Sequence, residues 1–110
     1  MSFSTQGIIV IGAGGHGHVV VDTLHCLGLA AKAVVVDSNP TVWGRSVLGA
    51  TVRGGDDQMK ELIAEGFDTF VVAIGGIRQF SLRRLLFDAA LSLGLQPLTL
   101  RHPTGFCSEF

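Results

Sequence analysis

Long apolar runs alternate along the chain with segments of helical period. Gly7-Ile8-Ile9-Val10-Ile11, Ala33-Val34-Val35-Val36-Asp37 and Phe70-Val71-Val72-Ala73-Ile74 are near-continuous stretches of apolar, mostly β-branched residues. Such runs predict strands buried on both faces, as in a parallel sheet. Pro97-Leu98-Thr99-Leu100 predicts a short last strand. Val20, Leu24 and Leu27 fall on one face of a helix from about His16 to Leu27, which Gly28 stops. Gly54-Gly55-Asp56-Asp57 opens a second helix, with acids at its positive end, and Gly66 closes it. Leu82, Leu85, Leu86, Ala89, Ala90 and Leu93 make a broad apolar stripe on a third helix, from about Gln79 to Leu93, with Gly94 as its stop. Ser38-Asn39-Pro40 breaks the second strand, and Trp43 to Arg53 reads as an irregular excursion with at most one short strand. Met1 to Gln6 is a polar lead-in, and Arg101 to Phe110 shows no structure of its own.

Buried strands alternating with amphipathic helices predict the α/β class. The expected fold is a small Rossmann-like, three-layer αβα domain with a mostly parallel sheet of about five strands and right-handed crossovers. A length of 110 residues suits one such domain.

Composition narrows the function classes. Charged residues make up 15% of the chain, against roughly 25% in an average globular protein. The deficit predicts a surface covered by another domain or subunit. The formal net charge is −1, and the eight Lys and Arg residues are scattered, with Arg83-Arg84 the one adjacent pair. Electrostatic binding to nucleic acid is therefore not expected. Cys26 and Cys107 form no CxxC pattern, which argues against a zinc site or redox dithiol. No uncharged apolar run is long enough for a membrane helix. The first basic residue is Lys32, so no charged region precedes the apolar stretch at Ile8. A cytoplasmic chain without membrane contact is expected.

The chemistry concentrates at the end of the first strand. Gly12, Gly14 and Gly17 fit G-x-G-x-x-G between a predicted strand and a predicted helix, and Asp37 ends the next strand twenty residues after Gly17. That context is the one a dinucleotide fingerprint requires. Gly12 permits the tight turn, Gly14 lets backbone approach a pyrophosphate, and Gly17 allows close helix–strand packing. The free N–H groups of the first helical turn then face the anion. Asp37 can accept from a ribose hydroxyl or a base N–H; the plainer alternative is a turn cap. Likewise, the glycines could serve packing alone. His16 could donate to a phosphate or a sugar hydroxyl, or be a surface histidine. His18 and His25 are two helical turns apart, too far for one metal site, and are expected to be ordinary histidines.

Ala73-Ile74-Gly75-Gly76 should lie beside the glycine loop at the carboxyl ends of the strands, where open α/β sheets bind ligands. One of Arg78, Arg83 and Arg84 could reach a phosphate, although a solvated helix face accounts for at least two of them. Trp43 could cover a ligand or anchor the excursion, and anchoring is the safer reading. No nucleophile–base pairing can be inferred, so no catalytic residue and no metal ligand is expected.

Ile9-Val10-Ile11-Gly12-Ala13-Gly14-Gly15-His16-Gly17, Val35-Val36-Asp37, Val72-Ala73-Ile74-Gly75 and His102-Pro103-Thr104 follow one another in a recognisable order. On these residues the chain resembles the N-terminal domain of the sugar-nucleotide acetyltransferases of the sialic acid O-acetyltransferase and bacillosamine-pathway type. The resemblance covers nearly all of this sequence and about half or less of a family member. It implies a Rossmann-like domain over residues 1–101 that binds a sugar nucleotide, often a UDP-linked 4-amino sugar. Gly12, Gly14, Gly15, His16 and Gly17 would face the phosphates and sugar, Asp37 and Ser38 would address the uridine, and Ala73, Ile74 and Gly75 would line the same cleft. Gly76 departs from the polar residue the family often has after its Ile-Gly pair, which puts a side-chain contact there in doubt.

The resemblance further implies that residues 102–110 are a hinge opening a left-handed β-helix, which in the family carries the catalytic histidine, the acetyl-CoA site and the trimer contacts. No hexapeptide repeats occur in the 110 residues, so the chain alone is expected to bind no acetyl-CoA cofactor and to transfer no acetyl group. Two alternatives stand beside this reading. One is an NAD(P)- or CoA-binding Rossmann domain of an oxidoreductase or sensor. The other is a non-enzymatic interaction module whose glycine loop is structural.

Overall fold

The computed structural model describes residues 6–74 and 80–98. Strand β1 is Ile8–Ile11, helix α1 Gly15–Cys26, β2 Ala33–Val36, β3 Ser46–Val47, β4 Ala50–Gly54, α2 Met59–Ala64, β5 Thr69–Val72, α3 Phe80–Ser92 and β6 Gln96–Pro97. They form one six-stranded sheet in the order β3-β4-β2-β1-β5-β6. Every pairing is parallel except the β3–β4 hairpin.

The alternation of side chains along the strands splits the core in two. Ile8, Val10 and Val35 point to the face covered by α1, where Val21 and Leu24 meet them. Ile9, Ile11, Val36 and Phe70 point to the other face, which Met59 and Leu62 of α2 and Ala90 of α3 close. All of these residues are buried. This is the expected αβα sandwich, and it explains why β1 and β2 read as continuous apolar runs: neither face of either strand is wet. The rings of Phe87 on α3 and Phe70 on β5 pack edge-to-face, with centroids 5.2 Å apart, and pin α3 to β5.

Three expectations need correction. The excursion from Trp43 to Arg53 contains two strands, and β4 pairs in parallel with β2 as a full member of the sheet. Its pattern is in fact an alternation, with Val47, Ala50, Val52 and Gly54 buried and Leu48, Thr51 and Arg53 exposed. Glycines at the turns masked that period. The two-residue turn Leu48-Gly49 has φ of 49° and 93°, the left-handed pair that matches strand twist in tight hairpins. The stripe on α3 is also narrower than expected. Ala90 is buried and Leu86, Phe87 and Leu93 are half-buried, whereas Leu82, Leu85 and Ala89 are exposed. The second helix begins as a short 3-10 turn, Asp56–Gln58, before α2 proper. The expected strand residues Thr99 and Leu100 and the tail lie outside the described residues.

Candidate functional site

The chain runs outward from β1 to β2 and β4, then returns to the other side of β1 at β5. The sheet therefore reverses its direction of growth beside β1, and a crevice opens at the carboxyl ends of β1 and β5. Gly12 fills that point. Its N–H donates to the Val36 carbonyl at 2.8 Å, continuing β1 against β2. On the other side, the Ala73 N–H donates to the Ile11 carbonyl at 2.8 Å. Gly12 has φ of 121°, and a β-carbon on it would stand 2.8 Å from the Ala73 carbonyl oxygen. Only glycine fits there. A β-carbon on Gly17 would collide with the Gly12 carbonyl oxygen, so α1 can approach β1 this closely only with glycine at that position.

Gly14 and Gly15 differ. Gly14 is the N-cap of α1, with φ of −76°, and no side chain caps the helix. A β-carbon on either residue would meet no atom within 4 Å. The fold does not require glycine at these two positions. They leave the first-turn amides of α1 accessible, in the geometry that helix N-termini use for anions.

The cleft beside this turn encloses about 130 Å³ and is lined by Ile11, Gly12, Val36, Asp37, Ser38, Asp56, Ile74, Leu82 and Leu86. Of the residues expected from the sequence, Gly12, Asp37, Ser38 and Ile74 are brought together there. Ala73 is buried with its side chain in the core on the α1 side, and it meets the site through its carbonyl. The His16 backbone lies in the first turn of α1. The His16 side chain, Gly75, Gly76 and Arg78 lie outside the described residues. Arg83 and Arg84 are exposed on α3 beside Val72 and Phe87, in a separate hollow, and Arg84 pairs with Asp88 at 3.4 Å.

Asp37 acts as a brace. Its Oδ2 accepts the Ala13 N–H and its Oδ1 the Asn39 N–H, each at 2.8 Å. The first bond ties the glycine loop to the end of β2; the second closes an Asx turn. The turn-cap role considered from the sequence is thus present, and each oxygen keeps a second lone pair for a ligand. Trp43 is an anchor: its Nε1–H donates to the Asp37 carbonyl at 2.7 Å. His18 and His25 both spend a ring nitrogen on backbone carbonyls, those of Gly14 and Leu48.

Sequence reasoning missed Asp56 as a site residue and took it only as a helix-opening acid. Its half-buried carboxyl lines the cleft, and burial first, then the neighbouring charges of Asp37 and Asp57, push it above the usual carboxylate range. Had β4 been recognised, the signal was available: Asp56 sits just past a strand's carboxyl end, as Asp37 does. Among the described residues no group of His, Cys, Asp and Glu could hold a metal ion, and no helix is long and apolar enough to cross a membrane.

Comparison with known proteins agrees with this fold. Perosamine N-acetyltransferase from Caulobacter crescentus, solved with CoA and GDP-perosamine, is 35% identical and superposes with a TM-score of 0.77 over 94% of this chain and 46% of its own. The acetyltransferase domain of PglB from Neisseria gonorrhoeae, solved with acetyl coenzyme A, is 35% identical with a TM-score of 0.71, over 91% of this chain and 45% of its own. The chain thus spans a little less than half the length of these relatives. A Rex-family repressor, at 19% identity and a TM-score of 0.66, shares the fold alone. No curated protein matches. The model of the PglD N-terminal domain matches residues 7–88, from the start of β1 into α3. The chain belongs to the PglD N-terminal domain family, the first domain of sugar acetyltransferases.

Proposed function

We propose that this chain is the part of an acetyl-CoA-dependent sugar acetyltransferase that holds the nucleotide sugar. The observation that carries the reading is the pair Gly14 and Gly15, where the fold tolerates a side chain and the sequence has none. A ligand whose phosphates approach the backbone there accounts for both glycines. The carboxylates of Asp37 and Asp56 orient it. Phosphates are disfavoured beside them, so the diphosphate lies against Gly14 and Gly15 and the nucleoside lies toward Ser38 and Asp56. At about 130 Å³ the cleft is below the roughly 300–1,000 Å³ of sites that enclose a whole small molecule. It takes one end of the ligand, and the sugar extends over the rim.

In this proposal Ile74 lines the nucleoside pocket, and Gly75 and His16 flank the phosphates. The relatives hold CoA or acetyl-CoA as well, and we assign that cofactor, the transfer chemistry and trimer formation to the length of a family member that this chain does not span. The partner of this chain is then a nucleoside-diphosphate sugar, with no role for nucleic acid or membrane.

Calorimetric titration of the 110-residue chain with UDP-N-acetylglucosamine, GDP-mannose, NAD and CoA tests the reading. Saturable binding of nucleotide sugars without NAD or CoA is the expected result. Binding of NAD or CoA instead would move the protein to the oxidoreductase or sensor class with the same phosphate turn, and binding of none would leave an interaction module.

A further inference from the structure

We infer that Asp56 selects the base of the nucleotide, and that the base it selects is guanine. The inference rests on the nucleotide-sugar reading above and deepens it.

The two carboxylates in the cleft are in different states. Both oxygens of Asp37 already accept backbone N–H groups. Asp56 follows β4 at the start of the 3-10 turn, and among the described residues no hydrogen bond supports its half-buried carboxyl; burial and the charges of Asp37 and Asp57 act on it. A partly desolvated carboxylate beside a second one is an unfavourable arrangement for the empty protein. It becomes favourable when a ligand brings N–H or O–H donors to it.

The remaining walls say what kind of donor fits. Ile11, Val36, Ile74, Leu82 and Leu86 give the cleft apolar sides, and Leu82 is 43% exposed, an apolar surface that a flat ring would cover. A base is such a ring with donors on its rim. Guanine carries N1–H and N2–H₂ side by side, two parallel donors that match the two oxygens of one carboxylate as a guanidinium fork does. Uracil carries a single N3–H between two carbonyl oxygens, and both would face a carboxylate with like charge. Adenine and cytosine each set their amino group beside a ring acceptor. Guanine alone offers two adjacent donors, and a carboxylate lining a cleft with apolar walls is the complement of that edge.

The test compares GDP, IDP and UDP by calorimetry on the wild-type chain and on Asp56→Asn. IDP is GDP without the 2-amino group. A hydrogen bond to a charged group corresponds to a loss of about 10-fold to 100-fold when it is removed. The wild type should bind GDP at least about 10-fold more tightly than IDP and more tightly still than UDP. Asp56→Asn, whose amide turns one acceptor into a donor, should bring GDP down to the IDP level while UDP stays within about two-fold. Equal binding of GDP and IDP to the wild type overturns the inference and leaves the nucleotide site standing; that comparison needs no variant, so a folding defect in Asp56→Asn cannot obscure it. Loss of UDP and GDP in equal measure on Asp56→Asn overturns it too. Absence of any nucleotide binding by the wild type overturns the site and the inference together.

Discussion

A β-carbon at Gly17 would strike the Gly12 carbonyl, whereas one at Gly49, on the hairpin between β3 and β4, would find no atom within 4 Å. Gly14 has open space too, but its φ of −76° is one that any residue adopts. Three glycines from a loop, a helix start and a hairpin thus have three separate reasons. Gly17 is there for packing, since α1 lies on β1 with no room between. Gly49 is there for backbone conformation, with φ of 93° in a two-residue hairpin. At Gly14 neither reason applies, and what remains is the space outside the protein. Glycine richness alone therefore says little about a phosphate site; the informative glycine is the one the fold could do without.

The largest effect should come from Gly17→Ala. The clash is with backbone that is itself bonded to β2, so it cannot be relieved by rotating a side chain, and the loss should reach about 3 kcal/mol or more. Urea unfolding reads it directly. A midpoint equal to wild type would mean that α1 can move off β1, and the packing half of the comparison would fail.

Gly14→Val should divide stability from binding. Valine is a poorer N-cap than glycine, which costs about 1 kcal/mol or less. Its branched side chain stands in the space assigned to the diphosphate, and affinity for a nucleotide sugar should fall by about 100-fold, a change in binding free energy of roughly 2.7 kcal/mol. Unaltered affinity in a folded variant would show that the ligand approaches elsewhere.

Gly49→Ala sharpens the contrast from the other side. Forcing a β-carbon into a left-handed conformation costs about 1–2 kcal/mol, and nucleotide affinity should not change, because neither Leu48 nor Gly49 lines the cleft. A binding defect as large as that of Gly14→Val would tie the hairpin to the ligand and dissolve the distinction between the two loops.

The same distinction marks what the sequence made legible. β1, β2 and β5 were readable because strands buried on both faces have no polar alternation to confuse with helix, and their ends placed Gly12, Asp37 and Ile74 in one crevice. β4 was not, since it begins at a left-handed turn and ends at Gly54, φ 148°, and glycines at both ends imitate a loop. Losing β4 meant losing Asp56, whose importance depends on the strand that delivers it. The exposure of Leu82 and Leu85 was also beyond the pattern. Helical spacing identifies a stripe, but how much of it is covered depends on how far α3 overhangs the sheet. That Asp37 would spend both oxygens on backbone could not be read from spacing either: it depends on the Asn39 amide and the Ala13 amide arriving within 2.8 Å from opposite sides.

The smallest effect is also the one with a sign of its own. The Asp56 carboxyl is held above its ordinary value of 3.8, by burial first and then by Asp37 and Asp57. A raised carboxyl pKa means that the folded state disfavours the ionised form. Ionised Asp56 therefore lowers stability above its folded pKa, and that penalty fades as pH falls through the folded pKa toward 3.8. Asp56→Asn has no such penalty, so it should melt higher than wild type at neutral pH, and the two melting curves should converge on acidification. Together with the binding test, one substitution is then expected to raise stability and lower affinity for GDP. A side chain kept for packing would lower stability when replaced, and one with no role would change neither quantity. A gain in the first with a loss in the second is the signature of a group whose cost to the empty protein is repaid only when a ligand arrives. If Asp56→Asn instead melts below wild type at neutral pH, the carboxylate supports the turn after β4, and the contrast between the braced Asp37 and the open Asp56 disappears.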